Sequence, residues 1–348
     1  MIVQPNQPML RPTCKVSIDG VDLTARLLPR LGSLSITTTR AGHADQLDLE
    51  FEATDGRVAL PRTGARLSVM LGFEGSGVAL QGDYTVDEIE HRGAPDMISV
   101  RARSARVAGP LNVRKERSWT DTALGKLVKI IASEHGLEPR VASSLADRPI
   151  AHLDQTESDM ALLRRLGRQW DAIATVKAGR LLFAPIGQAL TAGGTALPLL
   201  TLVRSAGDQH RYHAAERNAY TGVRAIWHDF GAARGRSVLA GTAGHVKVMR
   251  DRYAREDDAQ RAAAAEMARV QRRACTFELQ LAIGRPDLMP EMPARLIGWH
   301  PAIDTITWII DQARHRLDGA SGYTTEVSLE NRATTDDHAT LSETHDDM

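Results

Sequence analysis

The sequence predicts an α+β protein that is mainly β, with short antiparallel strands on both sides of one helix-rich insert. Apolar residues recur at every second position through much of residues 13–100 and again after residue 222, the period of strands with one buried and one wet face. Between Ser118 and Trp170 the period changes twice to that of an amphipathic helix. Turn signals separate the alternating runs at short intervals, which makes a small antiparallel barrel or sandwich the economical arrangement for the flanking regions.

Taken in order, Val16 and Ile18, the dipeptide Asp19-Gly20, then Val21 and Leu23 spell a tight hairpin. Leu34 and Ile36, then Leu47, Leu49 and Phe51, then Leu67, Val69, Leu71 and Phe73 are half-buried strands. Gly75-Ser76-Gly77 turns the chain into Val78, Leu80, Tyr84 and Val86, and Ile98 and Val100 form one more strand before Gly109-Pro110 breaks the pattern.

In the insert, Ser118 and Asp121 have capping-box spacing, so a helix should start there. Leu124, Leu127, Val128 and Ile131 give it one apolar stripe, Lys126, Lys129 and Glu134 face away, and Gly136 can end it in the left-handed conformation. Thr156 and Asp159 repeat the cap spacing before a second helix with Met160, Leu163, Leu166 and Trp170 inside and Arg164, Arg165 and Arg168 outside. Ala174 and Val176, the turn Lys177-Ala178-Gly179-Arg180, and Leu181-Leu182-Phe183 close the insert with a hairpin.

Beyond it, Thr191 to Ala196 with Gly193-Gly194 reads as a flexible loop and Val223, Ala225 and Trp227 as a returning strand. From Arg255 to Arg273, acids at the front, alanines in the middle and arginines at the back specify a dipole-matched helix with a thin apolar face. Phe277, Leu279, Leu281 and Ile283 alternate with polar residues, Ile306, Trp308 and Ile310 follow, and Gly319 to Gly322 turns into Tyr323, Thr325, Val327 and Leu329. From Ala333 onward an acidic, apolar-poor stretch predicts a disordered tail.

The 348 residues suffice for two or three domains with cores of their own. Forty-three basic residues balance forty-three acidic ones, so no net field draws the chain to nucleic acid or to an anionic membrane. Cys14 and Cys275, far apart on apparent strands, read as reduced, partly buried thiols. Pro5, Pro8 and Pro12 without a charged lead and apolar run argue against a signal peptide, and no apolar window is long enough to span a bilayer.

Chemistry is sparse. Twelve histidines include the close pair His210 and His213, yet no metal-binding spacing, so no metal or cofactor is expected. Asp304, Asp311 and His315 could be assembled into an acid-base group, but alternation places them more simply on the wet face of a strand. No nucleophile elbow or P-loop is present, and Gly231 to Arg236 reads as a mobile surface loop. Arg114, Lys115 and Arg117 beside Trp119 read as a solvated or inter-subunit face rather than a phosphate site, and the five tryptophans sit in apolar periodicity as core residues. No catalytic residue is assigned. A peptidoglycan hydrolase, resting on scattered carboxylates and tryptophans, and a DNA-binding regulator stand as alternatives.

Several strings, in the same order, resemble the phage late control protein D family: Gly82 to Arg92 (GDYTVDEIEHR), the helix Asp121 to Gly136, Gln155 to Met160 (QTESDM) through Leu163 to Trp170, and Trp308 to His315 (WIIDQARH) through Gly322 to Val327 (GYTTEV). The resemblance spans roughly residues 10–330. It implies the tail hub of a contractile phage tail or tail-like particle, similar to the hub part of the type VI secretion spike: two related antiparallel β-barrel domains with an α/β domain inserted between them. The corresponding boundaries are a first barrel at 10–112, the insert at 113–185, a second barrel with a long helix at 186–330 and the tail at 331–348. It further implies a non-enzymatic homotrimer whose pseudo-sixfold ring seats a sixfold tail tube on a threefold spike. The spike would be a separate trimeric protein, and baseplate wedge and tape measure proteins further partners. The implied location is the virion baseplate after assembly in the host bacterial cytoplasm.

Overall fold

The alternating runs become strands and the helical periods become helices in the computed structural model, which describes residues 10–40, 44–104, 110–177, 179–189, 195–214 and 220–332. The first region contains β1 (Pro12–Ile18), β2 (Val21–Asp22), α1 (Thr24–Leu27), β3 (Leu31–Thr39), β4 (Gln46–Glu52), β5 (Arg66–Phe73), β6 (Gly77–Arg92) and β7 (Met97–Ser104). The insert contains β8 (Arg117–Ala123), α2 (Leu124–Glu134), β9 (Glu138–Val141), α3 (Ser143–Ala146), β10 (Pro149–Gln155), α4 (Asp159–Gln169), β11 (Ala172–Lys177) and β12 (Arg180–Pro185). The last region begins with β13 (Leu200–Val203), β14 (Gly207–Ala214), β15 (Gly222–Asp229), β16 (Arg234–Gly241), β17 (Val246–Tyr253) and α5 (Glu256–Arg272). It ends with β18 (Cys275–Leu281), β19 (Pro293–Ile297), α6 (Pro301–Asp304), β20 (Thr307–Asp318) and β21 (Gly322–Asn331). The chain is thus mainly β, with large antiparallel sheets. The readings at Gly109, at Gly193-Gly194, on the first nine residues and on the tail from Ala333 lie outside the described residues.

Strands from the first and last regions share one thirteen-stranded sheet, in the order β14-β18-β21-β20-β3-β4-β7-β6-β5-β1-β2, with β19 beside β20 and β13 beside β19. The seam is the antiparallel pair β3 and β20, where Ile36 faces His315 and Leu34 faces Leu317. Each side keeps its own core. Leu34, Ile36, Leu47, Phe51, Tyr84 and Val100 centre the first, which takes in Leu317 and Tyr323 across the seam. Phe277, Leu279, Trp308, Ile310 and Leu329 centre the second.

Four strands on one side repeat four on the other. The run β3-β4-β7-β6 matches β14-β18-β21-β20 in order and in pairing. In β6 and β7 the register shifts between Val86 and Glu88, and in β20 and β21 it shifts between Ile310 and Gln312. Beyond these bulges Ile89 faces Val100 as Ala313 faces Val327, and His91 faces Ile98 as His315 faces Thr325. The other outer pair agrees as well: β3 slips against β4 between Leu31 and Ser33, and β14 slips against β18 between Gly207 and Gln209. Two bulges at matching places mark a repeated structural unit, because a bulge fixes where a strand bends and which face each side chain takes. The next strands diverge: β1 lies antiparallel to β5, whereas β13 lies parallel to β19.

The insert has a separate core of Leu124, Leu127, Val128, Ile131, Leu163, Leu166 and Phe183. Its first helix begins at Leu124, later than Ser118 and Asp121 suggested; those two lie in β8, which pairs with β10, and the Ser118 hydroxyl bonds the Asp154 carboxylate. The second helix starts as read, but its cap is Ser158, whose hydroxyl accepts from the Ala161 N–H, and not Thr156. Trp170 is only half-buried at the end of that helix. The hairpin of β11 and β12 forms as the turn residues specify.

A strand does return at Val223 to Trp227, but outside the large sheet. β15, between β16 and β17, makes a three-stranded sheet against which α5 lays Ala259, Ala263 and Met267. Residues 231–233 are the turn between β15 and β16, with Gly231 and Ala232 N–H groups held by Asp229, and Arg234 already begins a strand, so the segment is a tied hairpin turn. Ile283 lies past the end of β18 and is exposed.

Candidate functional site

Charged residues that the sequence scatters come together at three places. In the insert, Lys115 and Arg117 approach along the start of β8, Glu134 and His135 end α2, and Asp159 opens α4. Asp159 is fully buried at the positive end of α4, where a carboxylate is favoured. Its Oδ1 accepts from Arg117 at 2.6 Å and Gln155 at 2.8 Å, and its Oδ2 lies 2.6 Å from Lys115 and 2.7 Å from the His135 Nε2. Glu134 meets Arg117 at 2.7 Å and Lys115 at 2.8 Å. Gln155 also accepts from the Trp119 indole at 3.0 Å, and the Arg117 guanidinium lies over that ring. Burial would raise the Asp159 carboxyl, but bonds from His135, Lys115 and Gln155 and the Arg117 charge bring it down to about 2.

Glu134, His135 and Asp159 are close enough to share a metal ion. Lys115 and Arg117 already occupy the carboxylate oxygens, so a cation would have to displace two positive charges. The cluster is a compensated ion network joining the entry strand of the insert to α2 and α4. The sequence reading of Arg114, Lys115 and Arg117 as one solvated or inter-subunit face is corrected: Arg114 is exposed, while Lys115 and Arg117 turn inward onto Asp159.

At the seam Arg40, just past β3, has a side chain only 6% exposed. It meets Glu291 at 2.5 Å, Glu330 of β21 at 2.6 Å and Asp311 of β20 at 3.4 Å. Burial alone would lower the Arg40 pKa, but the three carboxylates raise it; at Glu291, by contrast, burial outweighs Arg40 and raises the carboxyl. Gly187, after the insert, donates its N–H to Glu291 at 2.9 Å. Arg272 of α5 forks onto Asp171 of the insert at 2.6 and 2.5 Å. These anchors tie first region, insert and last region together.

The acid-base candidates do not assemble. His315 is wholly buried in β20, correcting its placement on a wet face. The imidazole lies 3.0 Å from Thr325 Oγ1, 3.1 Å from the Tyr323 hydroxyl and 3.3 Å from the Leu288 carbonyl, and burial pushes its pKa down to about 4. Asp304 ends α6 and accepts the Gly298 and Trp299 N–H groups, and Asp311 belongs to the Arg40 cluster. His210 and His213 stand on opposite faces of β14, His210 stacked on Phe277. Trp308 is fully buried, Trp119 nearly so, and Trp227 packs at the edge of the α5 core. Both cysteines are free and buried. Among the described residues no helix is long and apolar enough to cross a membrane.

This architecture is found in solved phage tail proteins. The 43 kDa tail protein of prophage MuSo2 from Shewanella oneidensis superposes with a TM-score of 0.70 at 14% identity, covering 91% of this chain and 98% of that one. A tail protein from Neisseria meningitidis MC58 gives 0.68 at 14% identity, covering 92% and 97%. The fold is therefore that of a tail protein. The sequence goes further: the family described as phage tail baseplate hub (GPD) matches residues 44–320. A probable baseplate hub protein of Escherichia phage 186 is 40% identical over 92% of this chain and 93% of its own length, and one of phage P2 is 38% identical over 93% and 94%. The chain belongs to the phage tail baseplate hub family and is a baseplate hub protein, a component of the virion tail. These relatives favour neither a hydrolase nor a DNA-binding regulator.

Proposed function

We propose that three copies of this hub close into a ring that seats a sixfold tail tube on a threefold spike, with no catalytic step. The repeated four-stranded unit supports this reading. Two like units per chain let three chains present six similar seats, which a single unit per chain could not do under threefold symmetry. In this reading residues 10–112 and 186–330 are two related barrel domains, 113–185 is the inserted domain and 331–348 a tail. The trimeric spike, tail tube, wedge and tape measure proteins are the partners, and assembly takes place in the host cytoplasm. The paired ion networks suit a part that transmits force, since each buried charge is held in place by its neighbours. Permanent rings of this kind bury upward of about 2,000 Å² per interface. Light scattering on the purified hub, or on hub released from tails, tests the ring: three chains per particle support it, and a particle of one or two chains overturns it.

A further inference from the structure

A groove of about 480 Å³ runs between the insert and α5. Leu145, Arg148 and Trp170 line it from the insert, Arg261 and Arg272 line it from α5, and Arg332, the last described residue, completes the lining. Along these walls stand four guanidinium groups and one carboxylate, Asp171. Arg272 takes that carboxylate in a fork, and Arg261 lies beside Asp258 on its own helix. Arg148 and Arg332 are held by carbonyl oxygens instead: Arg148 donates to Ser144 at 3.2 Å, and Arg332 to Gly187 at 2.9 Å and Gln188 at 3.2 Å. Among the described residues neither has a carboxylate partner. The groove is therefore a cationic site with apolar walls, of a size that takes a ligand or a peptide segment.

The sequence that follows Arg332 has the complementary chemistry. Residues 333–348 hold Asp336, Asp337, Glu343, Asp346 and Asp347 and no lysine or arginine, with Leu341 among them. Asp336 is four residues beyond Arg332, so an extended chain carries it at most about 14 Å from a residue that itself lines the groove. An exposed carboxylate–guanidinium contact contributes little by itself, but a tether this short holds the carboxylates at an effective concentration in the millimolar range.

We propose that the acidic segment after Arg332 folds back into this groove of its own chain. Asp336 and Asp337 pair with Arg148 and Arg332, and Leu341 covers the apolar wall of Leu145, Ile186 and Ala264. The segment is then a latch that ties the insert to α5 beside the Arg272–Asp171 fork, adding a contact between two regions of the chain that already meet there. The latch joins parts of one chain and does not depend on the ring proposed above.

Amide exchange on the purified full-length protein tests it, with a free peptide of residues 333–348 as the reference. At low salt residues 335–342 should exchange at least tenfold more slowly in the protein than in the peptide. The slowing should vanish in 1 M salt, where charges are screened within about 3 Å. Arg148→Gln should abolish it, and so should Asp336→Asn with Asp337→Asn, a double variant that leaves every described residue unchanged. Exchange at the peptide rate in the parent protein overturns the latch, and protection that survives both the salt and the double variant overturns its ionic basis. Ser144→Cys with Ala339→Cys decides whose segment fills the groove, since both native cysteines are buried. The oxidised product should run as a single chain on a denaturing, non-reducing gel; a product of two joined chains places a neighbour's segment there and overturns the fold-back.

Discussion

His91 and His315 hold the same place in two matching strands, yet His315 is sealed in the sheet at the seam while His91 faces solvent.

Burial holds the His315 pKa at about 4 against an ordinary 6.5. As pH falls below about 6.5 the unfolded chain takes up this proton first, so stability drops between about 6.5 and 4 and levels off below. The linked loss is about 3 kcal/mol. His315→Gln should flatten this part of a stability-against-pH curve measured by denaturant unfolding.

Asp159 behaves in the same direction over a lower range. Its carboxyl is held at about 2, so its contribution is full above the unfolded value near 3.8 and is lost as pH falls toward 2. Asp159→Ala leaves Glu134 as the one carboxylate bonded to both Lys115 and Arg117 and should cost about 3 kcal/mol at neutral pH. Thermal unfolding measures the loss, and the variant should show less acid sensitivity between pH 4 and pH 2 than the parent, at about 1 kcal/mol or more.

Arg40→Ala removes the buried cation from Glu291 and Glu330 at the seam, leaving Glu330 the more distant Arg273 at 4.0 Å, and should cost about 3–5 kcal/mol at neutral pH. Burial already raises Glu291, so its protonation in the folded variant restores stability as pH falls through its raised folded value. A deficit that does not shrink on acidification would show that these carboxylates are solvated once Arg40 is gone.

Gly167 lies in α4, where alanine would ordinarily stabilise a helix by about 1 kcal/mol. A Cβ there would sit 2.6 Å from the Ala172 carbonyl oxygen, a backbone atom at the start of β11. The overpacking should prevail, leaving Gly167→Ala less stable by about 1–2 kcal/mol in chemical denaturation.

Element type was legible wherever periodicity is strong. Leu47, Leu49 and Phe51, or Phe277, Leu279 and Leu281, alternate so regularly that strand and buried face follow together, and α2 and α4 of the insert were evident from their stripes. The start of the first insert helix was not: Ser118 and Asp121 have cap spacing but serve a strand, because pairing of β8 with β10 decides the local conformation. The ion networks were hidden because their members are far apart in sequence, as Arg117 and Asp159 are, and no local pattern records such a meeting. The repeat had a visible trace in the strings VDEIEHR at residues 86–92 and IDQARHR at residues 310–316, whose alignment puts Asp87 and Asp311 at the two bulges.

The copy number of the hub in an intact tail tests the central claim most directly. A side-chain-resolution reconstruction of the tail tip should show three chains around the axis, their matching four-stranded units alternating as six seats beneath the tube. A ring of six chains, each offering one unit to the tube, would contradict it.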